Sequence, residues 1–174
     1  FDEARGSAGV RAAAALADLG GHDFERTLDL ARILDRSGGG ARALRSYDRA
    51  WAMAIQAGLD FPESSRLERA RLMSTVRARQ DEALEEFRAI RDSTASDRIG
   101  ARNLDVWADL RRRQGMNAQV STLRRWLLEE YPSSSEAAQV AWSRGSNAEA
   151  RGALDQALSE YAFLIENVRT HSLA

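Results

Sequence analysis

The sequence predicts an all-α fold of about nine helices, arranged as consecutive antiparallel pairs, and three observations carry that prediction. The first is composition: 31 alanines and 19 leucines stand against 6 valines and 5 isoleucines. Helices favour alanine, leucine, arginine and glutamate, whereas strands draw on β-branched and aromatic residues. The second is the scarcity of proline. Pro62 and Pro132 are the only two, and no stretch alternates with period two over a strand's length. The third is a recurring triad. Ala43-Tyr47-Ala50, Ala83-Phe87-Ile90 and Ala157-Tyr161-Leu164 share the spacing i, i+4, i+7, which is one face of a helix.

The elements follow from punctuation and period. Helices are expected near 7–19, 23–36, 40–57, 65–79, 81–92, 97–114, 117–130, 135–150 and 153–168. "RSGGGAR" at 36–42 reads as a turn within a pair. Pro62 and Pro132 each stop a helix, because proline lacks an N–H and clashes with the preceding turn. Ser65-x-x-Glu68 and Ser133-x-x-Glu136 then read as capping boxes that start the next one. The first two triads lie 40 residues apart and the last two 74, twice 37. A further copy is therefore expected from residue 120, where Val120, Leu123 and Leu127 form a stripe and Arg124 takes the aromatic's place. Gly38, Gly115 and Gly152 each precede a copy by five residues, as suits a turn that needs positive φ. The expected organisation is one repeat domain over 1–174, with an extra helix at 7–19 and units at 24–58, 65–92, 97–130 and 135–168.

These features resemble the tetratricopeptide-type α-solenoids. The Ala-x-x-x-(Tyr/Phe) pattern is similar to that family's second helix, and "RGSNAEARGALDQALSEYAFLI", with Gly145, Gly152, Ala157 and Tyr161, is the closest unit. The Trp-Leu-Gly-Tyr signature of the family's first helix is absent, and the period exceeds the usual 34. The resemblance implies a right-handed superhelical array whose pairs bury their faces only against neighbours, with Tyr47, Phe87 and Tyr161 as equivalent buried positions.

Charge and chemistry exclude more than they select. The net charge of −1 gives no bulk attraction to nucleic acid or anionic membrane, and no apolar run is long enough to span a bilayer. All 25 basic residues are arginine, and the absence of cysteine removes disulfides and thiolate metal sites. The chain starts at Phe1, so a processed or cut piece of a longer chain is expected. His22 and His171 have no partners at ligand spacing. The carboxylates Asp81-Glu82-Glu85-Glu86 and Glu129-Glu130 read as solvated faces, and a general acid needs burial. No phosphate-binding loop, dinucleotide fingerprint or nucleophile elbow occurs. The expectation is no catalytic residue, no metal and no cofactor.

Two features remain for binding. Arg98, Arg102, Arg111, Arg112, Arg113, Arg124 and Arg125 face only Asp105 and Asp109 between 98 and 125. Such a patch suits a carboxylate, a phosphate or an acidic partner helix, although pairing with neighbouring acids on an exposed face is the plainer reading. Arg102, Arg112 and Arg113 are the candidate partner-binding residues, directed at an acidic segment or carboxylate. Four tryptophans, Trp51, Trp107, Trp126 and Trp142, would be anchors if exposed, but at least two are expected in the core.

The joint "EEYPSSSEAAQVAW" is similar to segments of bacterial envelope solenoids, including outer-membrane assembly lipoproteins and the superhelical arm of soluble lytic murein transglycosylases. The resemblance implies a soluble periplasmic setting and, for the second family, peptidoglycan as partner. That family's catalytic acid sits in a Glu-Ser motif followed by Gly-Leu-Met-Gln; Glu63-Ser64 matches the first part and nothing matches the second. The expected function is a non-catalytic scaffold for a protein or peptide partner in the cell envelope. The alternative is the helical arm of a transglycosylase whose chemistry lies outside this chain.

Overall fold

The computed structural model describes residues 24–168; the helix expected at 7–19, His22 and His171 lie outside them. Among the described residues there are eight α-helices and no strand: α1 (Phe24–Arg36), α2 (Gly40–Ala57), α3 (Glu63–Met73), α4 (Gln80–Ser93), α5 (Asp97–Arg113), α6 (Asn117–Glu130), α7 (Ser135–Ala150) and α8 (Leu154–Val168). A single 3-10 turn, Arg77–Arg79, precedes α4. The chain divides into two compact units, Phe1–Glu86 and Phe87–Ala174, with the boundary inside α4.

Helices pack in sequence order within each unit. α1 lies on α2, α5 on α6 and α7 on α8, and these pairs are the most extensive helix contacts. Only three residues join each pair, so the chain must return antiparallel. Gly38, Gly115 and Gly152 occupy these joints with φ of 77°, 74° and 74°. A Cβ is disfavoured in that region of backbone space, and the sequence expectation of positive φ holds at all three. A fourth positive φ, 64° at Gly58, closes α2, and the Leu59 N–H bonds back to the Ala54 carbonyl.

The core of the first unit is built from Leu28, Ala31 and Leu34 of α1, Ala43, Leu44, Tyr47 and Ala50 of α2, and Leu67, Ala70 and Met73 of α3. Alanines at Ala31, Ala43, Ala50 and Ala70 are fully covered, and such small residues let helix axes approach. Arginine then ties the helices together. Arg69 of α3 donates to Asp48 of α2 at 2.8 Å and to Glu82 of α4 at 2.8 Å, while its guanidinium lies over Trp51, 5.1 Å from the ring centroid. Arg79 joins the same two acids, Arg71 links Asp35 and Glu68, and Arg66 pairs with Glu86. Trp51 also meets Phe61 edge-on at 5.0 Å.

In the second unit Phe87 stacks on Trp107, with ring centroids 6.4 Å apart. Asn103 of α5 is fully buried and donates its amide to the Phe87 carbonyl at 2.9 Å. Leu104, Leu110, Val120, Leu123, Leu127, Ala137, Val140 and Ala141 complete this core. Arg91 sits 3.8 Å over Trp126 and pairs with Glu130 at 2.7 Å.

Several expectations need correction. The helix expected at 65–79 ends at Met73, since the Ser74 and Thr75 hydroxyls turn back onto the Arg71 and Leu72 carbonyls. Such side-chain bonds compete with helix continuation. Ser65 is not a cap: α3 opens at Glu63 behind Pro62, and Ser65 is buried one turn in, accepting from Arg32 at 3.2 Å. The second capping box is off by one residue. Ser134, not Ser133, caps α7, accepting from the Ala137 N–H at 3.1 Å. Ser96, unnoticed in the sequence, caps α5 from the Ile99 N–H. Tyr47 and Phe87 are buried as expected, but Tyr161 is only half-buried. Its ring leans on Gly145 and its hydroxyl donates to Glu149 at 2.9 Å. Of the tryptophans, Trp107 alone is in the core; Trp51 and Trp126 are half-buried and Trp142 is exposed.

Candidate functional site

The three arginines singled out from the sequence do not converge. Arg102, Arg112 and Arg113 lie on α5, and ten residues of helix separate the first two by roughly 15 Å along the axis. Arg102 approaches Asp105 at 3.7 Å and Arg112 pairs with Asp109 at 3.0 Å, both one turn away on the same helix. Arg113, also exposed, engages neighbours as well. This is the surface pairing that the i, i+3 spacing allows.

Two other features of the second unit stand out. The first is a cleft of about 460 Å³ lined by Ser121, Thr122, Arg124 and Arg125 of α6 and Arg144 of α7. Along α6, Arg124 borders the buried Val120-Leu123-Leu127 stripe, whereas Ser121, Thr122 and Arg125 lie away from it, and α7 packs beside α6. Arg144 is tied to Glu160 at 2.8 Å, and Arg125 reaches Glu129 only at 4.0 Å. Arg124 has no ion pair within 4.0 Å among the described residues; it contributes a field at Asp105. The Ser121 and Thr122 hydroxyls donate to the Asn117 and Ala118 carbonyls of their own helix.

Asp105 has a raised pKa. Burial is the main cause, and the neighbouring charges of Asp109 and Glu136 add to it against Arg102 and Arg124. Glu82 moves the other way: the hydrogen bond from Arg79 holds its carboxyl below the usual range. Within the acidic run around it, Glu82 and Glu86 pair with arginines, Glu82 with Arg69 and Arg79 and Glu86 with Arg66. Among the described residues no group of three metal-ligating side chains converges, and no helix is long and apolar enough to cross a membrane.

The second feature is an apolar stripe on α8. Leu154, Leu158 and Ile165 are 62 %, 66 % and 57 % exposed and follow the spacing i, i+4, i+11 with Tyr161 between them, one face of a helix. Trp142 of α7, 56 % exposed, extends the stripe by packing on Tyr161 at 5.5 Å.

No family model, curated protein or solved structure matches the chain.

The sequence places Arg124 and Arg125 in its basic patch, but it does not bring Arg144 to them and does not mark the α8 stripe as exposed. Leu154, Leu158 and Ile165 have the spacing of a core face, and nothing in the local pattern says which of the two apolar sides of α8 meets α7. Arg144 and Arg124 are twenty residues apart, and only the antiparallel return of α7 brings them to one cleft. Arg124 did carry a signal, as a cation where the other copies of the triad place an aromatic, Tyr47, Phe87 or Tyr161.

Proposed function

We propose that this chain is a non-catalytic helical-repeat scaffold that docks a helix of a partner protein on the outer face of α8. The single observation that supports this reading is the stripe of Leu154, Leu158, Tyr161 and Ile165 with Trp142 at its side. Contiguous exposed apolar surface rimmed by polar groups marks an interaction face, and a helix-long stripe fits an amphipathic helix, with anchors at i, i+3, i+4 and i+7. Charge specifies the partner further. Beside Glu160, which Arg144 already pairs with, α8 carries Asp155 and Glu166 and no basic residue, so the partner helix bears an apolar seam with lysine or arginine on its flanks.

The test uses two synthetic amphipathic peptides with the same leucine seam, one flanked by lysines and one by glutamates. The lysine-flanked peptide is expected to saturate the protein, and Leu158→Asp and Ile165→Asp each to weaken it by roughly tenfold or more, as charge at a docking seam does. Ile33→Asp, on α1, is the control. Equal binding of both peptides, or binding indifferent to Leu158→Asp, would overturn the proposal. So would concentration-dependent dimerisation that Leu158→Asp abolishes, since the face would then belong to a second copy.

A further inference from the structure

We infer that the cleft between α6 and α7 is a binding site for a phosphate monoester, a site independent of the α8 stripe. Three guanidiniums line it, from Arg124, Arg125 and Arg144, together with the hydroxyls of Ser121 and Thr122. Everywhere in the first unit the half-buried or buried arginines of α3 are saturated by carboxylates, Arg66 by Glu86, Arg69 by Asp48 and Glu82, Arg71 by Asp35 and Glu68. The cleft departs from that pattern. Its three cations meet two carboxylates, Glu160 at 2.8 Å from Arg144 and Glu129 at 4.0 Å from Arg125. Arg124 is half-buried without an ion pair among the described residues.

The ligand class follows from geometry and valence. Guanidinium is an all-donor planar fork that suits carboxylate and phosphate oxygens. Arg124 and Arg125 are sequence neighbours and leave α6 about 100° apart, while Arg144 approaches from α7. A carboxylate has two oxygens in one plane and one charge. A phosphate monoester offers three terminal oxygens and a charge of about −1.5 to −2 near neutral pH, so it can engage donors arriving from three directions. Ser121 and Thr122 now donate to helix carbonyls, and a turn of either hydroxyl about its side-chain bond adds a donor to the cleft lining. The volume, about 460 Å³, exceeds a phosphoryl group and leaves room for the residue or sugar that carries it. Glu129 and Glu160, the partners of two lining arginines, disfavour a polyanion such as nucleic acid, which would bring further negative charge against them.

The experiment titrates the intact chain by calorimetry at low salt. The probes are inorganic phosphate, a phosphoserine peptide, glucose 6-phosphate, and the same peptide carrying glutamate in place of phosphoserine. Inorganic phosphate and at least one ester are expected to bind, and the stronger ester tells a phosphorylated side chain from a sugar phosphate. The glutamate peptide is expected to be at least about tenfold weaker. Arg124→Met, which keeps the apolar stem, is expected to lower affinity for the bound ester about tenfold or more, the size of a charge-assisted hydrogen bond. Arg124→Lys should recover part of it through charge without the fork. Arg112→Ala, on α5, should leave it unchanged. Affinity should fall as salt rises. Absence of binding by every phosphate probe, equal binding of the glutamate peptide, or an Arg124→Met protein that binds as the parent does while circular dichroism shows it folded would each overturn the assignment.

Discussion

Replacing Arg69 by methionine would test how the first unit is held together. Arg69 is about 8 % exposed at its side chain and joins three helices at once: it bonds Asp48 of α2 and Glu82 of α4 at 2.8 Å each, and stacks on Trp51. Breaking a fully buried ion pair from one side costs about 3–5 kcal/mol, because a charge is stranded in low dielectric. Here Asp48 and Glu82 are partly exposed, and both keep Arg79, so solvent and the remaining guanidinium should absorb roughly half of that cost. Loss of the guanidinium over Trp51 adds about 0.5–1 kcal/mol, while methionine retains the apolar stem. The sum is a loss of about 2–3.5 kcal/mol. Urea unfolding followed by circular dichroism reads it directly, and a cycle with Asp48→Asn should return a coupling of at least about 0.5 kcal/mol. Arg69→Lys should lose less than the methionine variant, since one ammonium can serve one acid but does not bridge two forks. A loss below about 0.5 kcal/mol for Arg69→Met, or additivity in the cycle, would refute the view that this guanidinium clamps the three helices.

Four further outcomes follow from the structure. Phe87→Ala should cost about 3–5 kcal/mol as a fully buried aromatic, whereas Tyr161→Ala should cost clearly less, because its ring is half open to solvent; comparable losses in urea titrations would contradict the burial difference. A Cβ at Gly145 would lie 2.6 Å from the Tyr161 ring, so Gly145→Ala should destabilise the parent, yet stabilise a Tyr161→Ala background by up to about 1 kcal/mol through helix propensity; the sign reversal is the measurement. Asp105 has a raised folded pKa, so its charge opposes folding above the ordinary carboxylate range. Asp105→Asn should therefore stabilise at neutral pH, with the gain vanishing as pH falls below that range. Glu82 has a lowered folded pKa, so its stabilisation is present above the ordinary carboxylate range and lost as pH falls through the folded value; Glu82→Gln should flatten the acid limb of the stability curve.

The helix map was legible because its signals are local. Period, proline and glycine spacing placed seven of the eight described helices within one residue at each end. Errors came where two local devices compete for one residue. Ser65 and Ser133 satisfy the capping pattern in sequence, but Pro62 already starts α3 with the Ser65 and Arg66 N–H groups on its carbonyl, and Ser134 is better placed for α7. The end of α3 was invisible because Ser74 and Thr75 are ordinary helix residues unless their hydroxyls bond backward. The candidate sites were less legible, since each depends on which helix faces meet. Arg102, Arg112 and Arg113 were chosen by density of charge along one helix, and charge density cannot show that Asp105 and Asp109 stand one turn away in position to pair. Tyr161 shares its motif with Tyr47 and Phe87 but not their surroundings: each of those is enclosed on all sides, whereas the outer side of α8 is uncovered among the described residues.

The absence of lysine from the ties between α2, α3 and α4 has a consequence for alkaline solution. A network built on ammonium groups dissolves as pH approaches their pKa of about 10.4, but guanidinium stays charged beyond pH 12. In Arg79 the hydrogen bonds donated to Glu82 and Asp48 push the pKa higher still. In Arg71 the Asp35 and Glu68 carboxylates outweigh a burial that alone would lower it. The first unit is instead limited by a phenol. Burial, with the fields of Asp35 and Glu68, lifts Tyr47 to about 12, while the same side chain in an unfolded chain ionises near 10. Base therefore favours the unfolded chain from about pH 10 upward, and the unit should come apart through a deprotonated tyrosine with its arginine bridges still charged.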